Sequence, residues 1–382
     1  MQAACATHDA GSRVQACAFA ACRPLGVTCQ QCWKLGAWIG AVSVVLYLDG
    51  VLAGMQLRSI HDPAAVGLRE PLGFACLEGV PGTAGRFAQE LAMLPTPDAP
   101  WHFMVGAAGR RFRQRAFGYT VCTRSLPPGS FFRAGECACL VSPELYFVQR
   151  GRELSLPLLV LLGDELCGTY TSLLDGRQGS AVRVAPLTTV DRLAAYVERV
   201  PWMPGSRKAK MALRHVVEGA ASIKESQLEM MLCLPPHFGG FGLPAAQMNA
   251  CVEFDRAAQR LAGREYALCD LSWPDALLDV EYDGRAWHEG QDFSLRDKQR
   301  ANALQHMGYQ VLSVSKAEFG SIEALTLVAH EVARHLGVRL RTRAEDAEGK
   351  RERLHAELLA AWRNPIFQSV NADELQRISL LR

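Results

Sequence analysis

The stretch VEYDGRAWHEG, residues 280–290, decides how the C-terminal half of the chain is read. Just before it, Leu277, Leu278 and Val280 frame a short apolar run with the look of a strand. The run carries Asp279, Glu281 and Asp283 and then meets Gly284, a turn former. Acids gathered at the exit of one strand repel each other, and a divalent cation is the usual compensation. The plainer reading is a strand that reaches solvent and ends in a polar turn. The choice rests on what the flanking segments bring beside it.

Upstream, short strands are expected around 251–254, 266–271 and 277–281. Before them, Ser222-Ile-Lys-Glu225 has the pattern of a helix start. The serine caps the first turn and Glu225 returns a hydrogen bond, with Leu228, Met231 and Leu232 forming an apolar face. Downstream, 294–307 reads as a helix stopped by Gly308, 311–314 as a buried strand and 322–336 as an amphipathic helix. From Ser222 the order is therefore helix, three strands, helix, strand, helix. If the second and third strands pair, Asp270 and Glu281 meet at one edge of the sheet. Glu225 then comes from the preceding helix, and Asp283 and His288 from the turn. Hard oxygen ligands without cysteine suit Mg²⁺ or Mn²⁺. Such an ion activates water and stabilises charge developing on a phosphate.

These residues resemble the PD-(D/E)XK nuclease superfamily, in its Vsr-like (very-short-patch-repair endonuclease-like) branch. The resemblance covers 222–336. It is carried by Asp270, Glu281-Tyr282-Asp283-Gly284, His288, Asp297-Lys298-Gln299-Arg300, Leu304 and Gly308-Tyr309-Gln310-Val311. It implies a restriction-endonuclease-like core in an α/β (α+β) chain, a mixed sheet flanked by helices, and hydrolysis of DNA phosphodiester bonds. Position 283 departs from the parent pattern, which has lysine there. The Vsr-like branch lacks that lysine and uses other groups, including a histidine placed as His288 is.

On this reading Asp270 and Glu281 are metal ligands, and Asp283 is a further ligand or orients water. Glu225 joins the site or serves only its cap. His288 protonates the leaving oxygen, orients a phosphate, or is a hydrogen-bonded turn residue. Arg300 pairs with Asp297 on one helix face, or contacts a phosphate. Trp287 covers the turn or offers a stacking platform. A non-catalytic alternative stands beside the enzyme: a DNA-binding antitoxin-like protein or transcriptional regulator that keeps the nuclease fold as a scaffold.

The N-terminal half is less specific. GRRFRQRAFGY sets Arg110, Arg111, Arg113 and Arg115 among Phe112, Phe117 and Tyr119. Such interleaving suits a nucleic-acid backbone with stacked bases, or equally an edge strand with arginines facing water. With Ser142-Pro143-Glu144 and the helix start Leu187-Thr188-Thr189-Val190-Asp191, this region faintly resembles abortive-infection antitoxin and transcriptional-regulator proteins that carry such a C-terminal domain. A toxin or other protein partner is then possible.

The 382 residues hold 41 Lys plus Arg against 39 Asp plus Glu, so any nucleic-acid surface has to be a local patch. Thirteen dispersed cysteines, an odd count, argue against a disulfide scaffold and for a reducing, cytoplasmic setting. Cys29 and Cys32 form the only CxxC, and Cys17 and Cys22 are poorly spaced to complete a zinc site. The apolar run at 37–55 is interrupted by Asp49 and is too short to span a bilayer comfortably, and no signal peptide is evident. The expected organisation is a disordered 1–36, an N-terminal α+β regulatory or DNA-binding region at 37–205, an endonuclease-like domain at 206–342 and a helical tail at 343–382.

Overall fold

The computed structural model describes residues 44–47, 101–105, 117–133, 138–171, 181–182, 185–283, 291–340 and 347–361. The N-terminal segment 1–36 with its CxxC, Arg110, Arg111, Arg113, Arg115, Trp287 and His288 lie outside the described residues. The chain divides into two compact units. One comprises Met1–Leu46, Leu72–Leu126 and Arg133–Leu140; the other comprises Tyr47–Pro71, Pro127–Phe132 and Val141–Arg382. The helices between 141 and 205, grouped from sequence with the N-terminal region, thus cluster with the C-terminal sheet.

The early strands are β1 (Val44–Tyr47), β2 (Trp101–Val105), β3 (Phe117–Val121), β4 (Phe131–Arg133) and β5 (Ala138–Val141). In the first unit β1 runs parallel to β5 and β2 parallel to β3. Phe117 and Tyr119, the aromatics that follow the arginine stretch, belong to β3.

The second unit opens with α1 (Pro143–Arg150) and α2 (Leu156–Cys167), then the short antiparallel pair β6 (Tyr170–Thr171) and β7 (Ala181–Val182). Next come α3 (Val190–Arg199), α4 (Ser206–Ala212) and α5 (Ile223–Cys233). Helices begin where a hydroxyl can take an otherwise unpaired amide. Ser142, Ser155, Thr189 and Ser222 accept from the amides of Leu145, Leu158, Arg192 and Glu225.

The site-bearing part follows: β8 (Gln247–Glu253), α6 (Arg256–Ala262), β9 (Tyr266–Trp273), β10 (Leu278–Asp283), α7 (Gln291–His306) and β11 (Gln310–Ser315). Then come α8 (Lys316–Phe319), α9 (Ile322–His335) and α10 (Ala347–Ala361). The four strands stand in the order β11-β10-β9-β8. β8–β9 and β9–β10 are antiparallel, whereas β10–β11 is parallel, with Glu281 opposite Ser313. This is a mixed sheet flanked by helices, as expected. A parallel neighbour needs a crossover, and α7 supplies it. Gly308, at φ 88°, provides the left-handed turn that takes the chain from α7 into β11.

One face of the sheet is sealed by Val252, Phe254, Ala267 and Cys269 packed on Ala258 and Ala262 of α6 and on Ala303, Leu304 and Tyr309. The small alanines let α6 and α7 approach the strands closely. The helix α6 was not expected from sequence, although Asp255 caps it by accepting from the amides of Ala257 (2.9 Å) and Ala258 (2.7 Å).

Candidate functional site

The acids come together where β9 and β10 part. Their ladder pairs Leu278 with Trp273, Asp279 with Ser272 and Val280 with Leu271, and goes no further. One residue on, a side chain takes over: Oδ2 of Asp270 accepts the Tyr282 amide at 3.0 Å. The β8–β9 ladder is interrupted at the same level, passing from Met248–Leu271 to Ala250–Cys269 and skipping Asn249 and Asp270. Asn249 has left-handed backbone, φ 47°, a conformation asparagine tolerates better than most residues. The strands therefore bend at the level of Asp270.

Glu225 is buried, with 8% of its surface exposed, in the first turn of α5. Ser222 caps the Glu225 amide at 3.1 Å, as the sequence pattern requires. The return bond differs from a capping box. Oε2 of Glu225 accepts from the Ala221 amide at 2.9 Å and from Nδ2 of Asn249 at 2.6 Å. The same Asn249 amide group donates to the Gly219 carbonyl at 3.0 Å. Glu225 thus ties the start of α5 to the bend in β8. Its charge also reaches Asp270. Burial, then the Glu225 carboxylate, push the Asp270 carboxyl up to about 7, with Glu281 adding to the rise and the Tyr282 amide and Arg300 opposing it.

Arg300 of α7 is the cation of the cluster. Its Nη2 pairs with Oε2 of Glu281, and its Nη1 donates to the Leu268 carbonyl at 2.9 Å. One guanidinium therefore links β9 and β10 beyond the end of their ladder, a use of its planar fork that lysine cannot reproduce. Burial lowers the pKa of Arg300, but the charges of Glu281, Asp270 and Asp279 outweigh that and raise it. Of the two roles weighed for Arg300, an ion pair with Asp297 or a phosphate contact, neither is among these bonds, which go to Glu281 and the Leu268 carbonyl.

Asp279 is the residue that sequence reasoning passed over. It is fully buried in β10, two residues before Glu281. Its carboxyl interacts with the Glu281 carboxyl and with the Cys269 thiol. Burial, then the charge of Glu281, drive its pKa well up. The sequence did hold a signal: an aspartate inside an apolar strand, in phase with Glu281. Asp283, in contrast, is exposed at the end of β10, and its charge bears on the Tyr282 phenol.

The structure thus brings Asp270 within electrostatic reach of Glu225, of Glu281 and of the unforeseen Asp279, and leaves Asp283 at the rim. Among the described residues no three of His, Cys, Asp or Glu are grouped closely enough to hold a metal ion. A hard divalent cation that keeps most of its water needs few protein donors. Mg²⁺ commonly takes only one or two carboxylates. Asp270 and Glu281 are the pair that would hold it.

No known family description matches the chain, and no solved structure does. The chain is similar to the uncharacterized proteins MT2308 of Mycobacterium tuberculosis (strain CDC 1551 / Oshkosh) and Rv2248 of Mycobacterium tuberculosis (strain ATCC 25618 / H37Rv), each 35% identical over 78 residues. The match takes in 19% of this chain and spans 27% of the length of each relative. Among the described residues no helix is long and apolar enough to cross a membrane.

Proposed function

We propose that the second unit is a metal-dependent DNA endonuclease domain of the PD-(D/E)XK type, close to the Vsr-like branch. One observation carries this reading. Asp270 lies where two strands part, binds the Tyr282 amide, and feels the carboxylates of both Glu225 and Glu281. A structural strand end has no need to gather three acids against one arginine. Asp270 and Glu281 would hold Mg²⁺ or Mn²⁺, which when bound lowers the pKa of water and offsets charge on the phosphate. Arg300 fixes the orientation of Glu281, and the Asn249–Glu225 bond fixes α5 against the bend. His288, which follows β10 in the sequence, is the group assigned to protonate the leaving oxygen. The setting is cytoplasmic and the partner is DNA.

Incubating the purified full chain with single-stranded and duplex DNA, each with Mg²⁺ and with Mn²⁺, tests the reading. Metal-dependent strand cleavage is expected, and failure to cut either substrate with either ion sinks the enzyme. One observation favours the scaffold alternative, in which a DNA-binding antitoxin-like or regulatory protein retains the fold. Arg300 pairs directly with Glu281, one of the two carboxylates assigned to the metal. DNA binding without cleavage is the result that selects it.

The arginines of GRRFRQR are assigned to the DNA backbone in either case. Replacing Arg111 and Arg113 by alanine is expected to weaken DNA binding and flatten its dependence on salt, by about 0.9 in the log–log slope for each phosphate no longer neutralised. An unchanged slope in a binding titration would leave the cluster a solvated edge.

A further inference from the structure

One surface of the second unit carries a charge imbalance that the candidate site does not use. Residues 199–217 hold Arg199, Arg207, Lys208, Lys210 and Arg214 and no acidic residue, in a chain whose charges nearly cancel. α4 sorts them by face. Ser206, Ala209 and Ala212 are buried, whereas Arg207, Lys210 and, in the turn that follows, Arg214 are exposed. Lys208 is spent on the Leu154 carbonyl, to which it donates at 2.6 Å. Neighbouring elements extend the exposed face. The Ser206 hydroxyl donates to the Val200 carbonyl, which brings exposed Arg199, at the end of α3, to the start of α4. A Cβ on Gly205 would stand 2.9 Å from the Arg152 amide, so exposed Arg152 borders the same helix start. The local acids are engaged. Glu198 pairs with Lys210 at 2.6 Å, Glu153 pairs with Arg150 at 2.6 Å, and Glu218 accepts the Val190 amide at 2.6 Å. Among the described residues no carboxylate pairs with Arg152, Arg199, Arg207 or Arg214.

We propose that this face of α4, with Arg199 and Arg152 at its border, docks the phosphate backbone of a DNA duplex. The choice of DNA as the polyanion rests on the nuclease reading. Guanidinium forks match phosphate oxygens in pairs, and the four cations without a carboxylate partner are all arginines. Their place relative to the acids fits as well. From Arg214 the chain reaches Gly219 in five residues, a span of at most about 18 Å. The Gly219 carbonyl accepts from Nδ2 of Asn249 at 3.0 Å, and the same group donates to Glu225 at 2.6 Å. The surface thus begins within about half of the roughly 34 Å turn of a duplex from the candidate site. Arg207 stands about 10 Å further along the helix axis. An anionic membrane is the poorer fit, since a helix lying on a bilayer needs an apolar face to sink into it. Among the described residues 199–217, Met211 is the only large apolar side chain that is well exposed. Contacts of this kind add affinity and register without reading bases.

The test is binding of a short DNA duplex to the full chain at increasing salt, with EDTA present so that no strand is cut. The wild type is compared with the double variants Arg207→Gln/Arg214→Gln and Arg207→Lys/Arg214→Lys. The glutamine pair is expected to lower the log–log salt slope by about 1.8, which is about sixtyfold weaker binding at ~0.1 M salt if the plots meet at about 1 M. The lysine pair is expected to keep the wild-type slope, because charge sets counterion release. An unchanged slope in the glutamine pair overturns the proposal, and so does a wild type that does not bind the duplex. Wild-type binding to phosphatidylserine vesicles as tight as to the duplex overturns it in favour of a membrane surface. Should the glutamine pair not fold, amide hydrogen exchange on the wild type decides. Adding the duplex is expected to slow exchange in 206–214, and unchanged exchange there overturns the docking site. Cleavage assays separate this outcome from the nuclease reading. A protein that shows the slope difference and cuts nothing keeps the surface and loses the nuclease. One that cuts with Mg²⁺ while the glutamine pair binds as the wild type does keeps the nuclease and loses the surface.

Discussion

Arg300→Ala is expected to destabilise the second unit by about 3 kcal/mol, the lower end of the range for removing one partner of a buried ion pair. The lower end applies because the Arg300 and Glu281 side chains keep 20% and 15% of their surface exposed. Three acids would be left with the cation gone: Glu281, Asp270 and Asp279 all act on Arg300. The Leu268 carbonyl would also lose its donor at the point where the β9–β10 ladder has ended. Urea unfolding of the two proteins measures the difference. Arg300→Lys is expected to restore only part of the loss, since a point charge cannot reach both strands. A loss below about 1 kcal/mol, typical of a solvent-exposed pair, would show that the guanidinium is not holding the strands.

The largest effect on function is expected from Asp270→Ala and Glu281→Ala. Each should abolish Mn²⁺ binding in a calorimetric titration, and cleavage should drop by about 10³-fold or more, the scale of several kcal/mol of lost charge stabilisation. The fold should survive in both. In Asp270→Ala a carboxylate that burial and two neighbouring charges disfavour is gone, so stability should hold or rise. In Glu281→Ala the loss of the Arg300 pair is offset by relief of Asp279. Unchanged affinity in both variants sinks the metal assignment. Loss of affinity together with unfolding would instead mean that the carboxylates act as structural counterions to Arg300.

What could be read from the sequence was set by the range of each interaction. Local patterns were legible. The alternating run before Glu281, the Ser222 cap and the stop at Gly308 are each written within a few residues. The corresponding β10, α5 and α7 lie within a few residues of their expected places. The short α6 was missed because the extended signal of its flanking strands masks a seven-residue helix, even though Asp255 and Gly263 mark its two ends. Pairings across the sheet were not legible. Arg300 and Glu281 are 19 positions apart, and Asn249 and Glu225 are 24 apart. Nothing in either spacing says which donor finds which carboxylate. Asp279 was hidden for a related reason: its burial beside Glu281 and Cys269 is a property of the packed strand. The division of the chain at 141 depends equally on which helices pack on which sheet.

The crossover between β10 and β11 bears on how the chain reaches this arrangement. β9 and β10 are joined through the short turn Pro274–Ala276, so their pairing closes a small loop and is entropically cheap. β11 must wait for the 16 residues of α7, and Arg300 travels with that helix. A chain closing its loops in order of length gathers Asp270, Asp279 and Glu281 before their counter-charge arrives. The barrier to folding is then partly the repulsion of acids awaiting an arginine, and protons can stand in for it. Mild acid should speed refolding of this unit, with the native, Arg300-bound state taking over the same neutralisation afterwards.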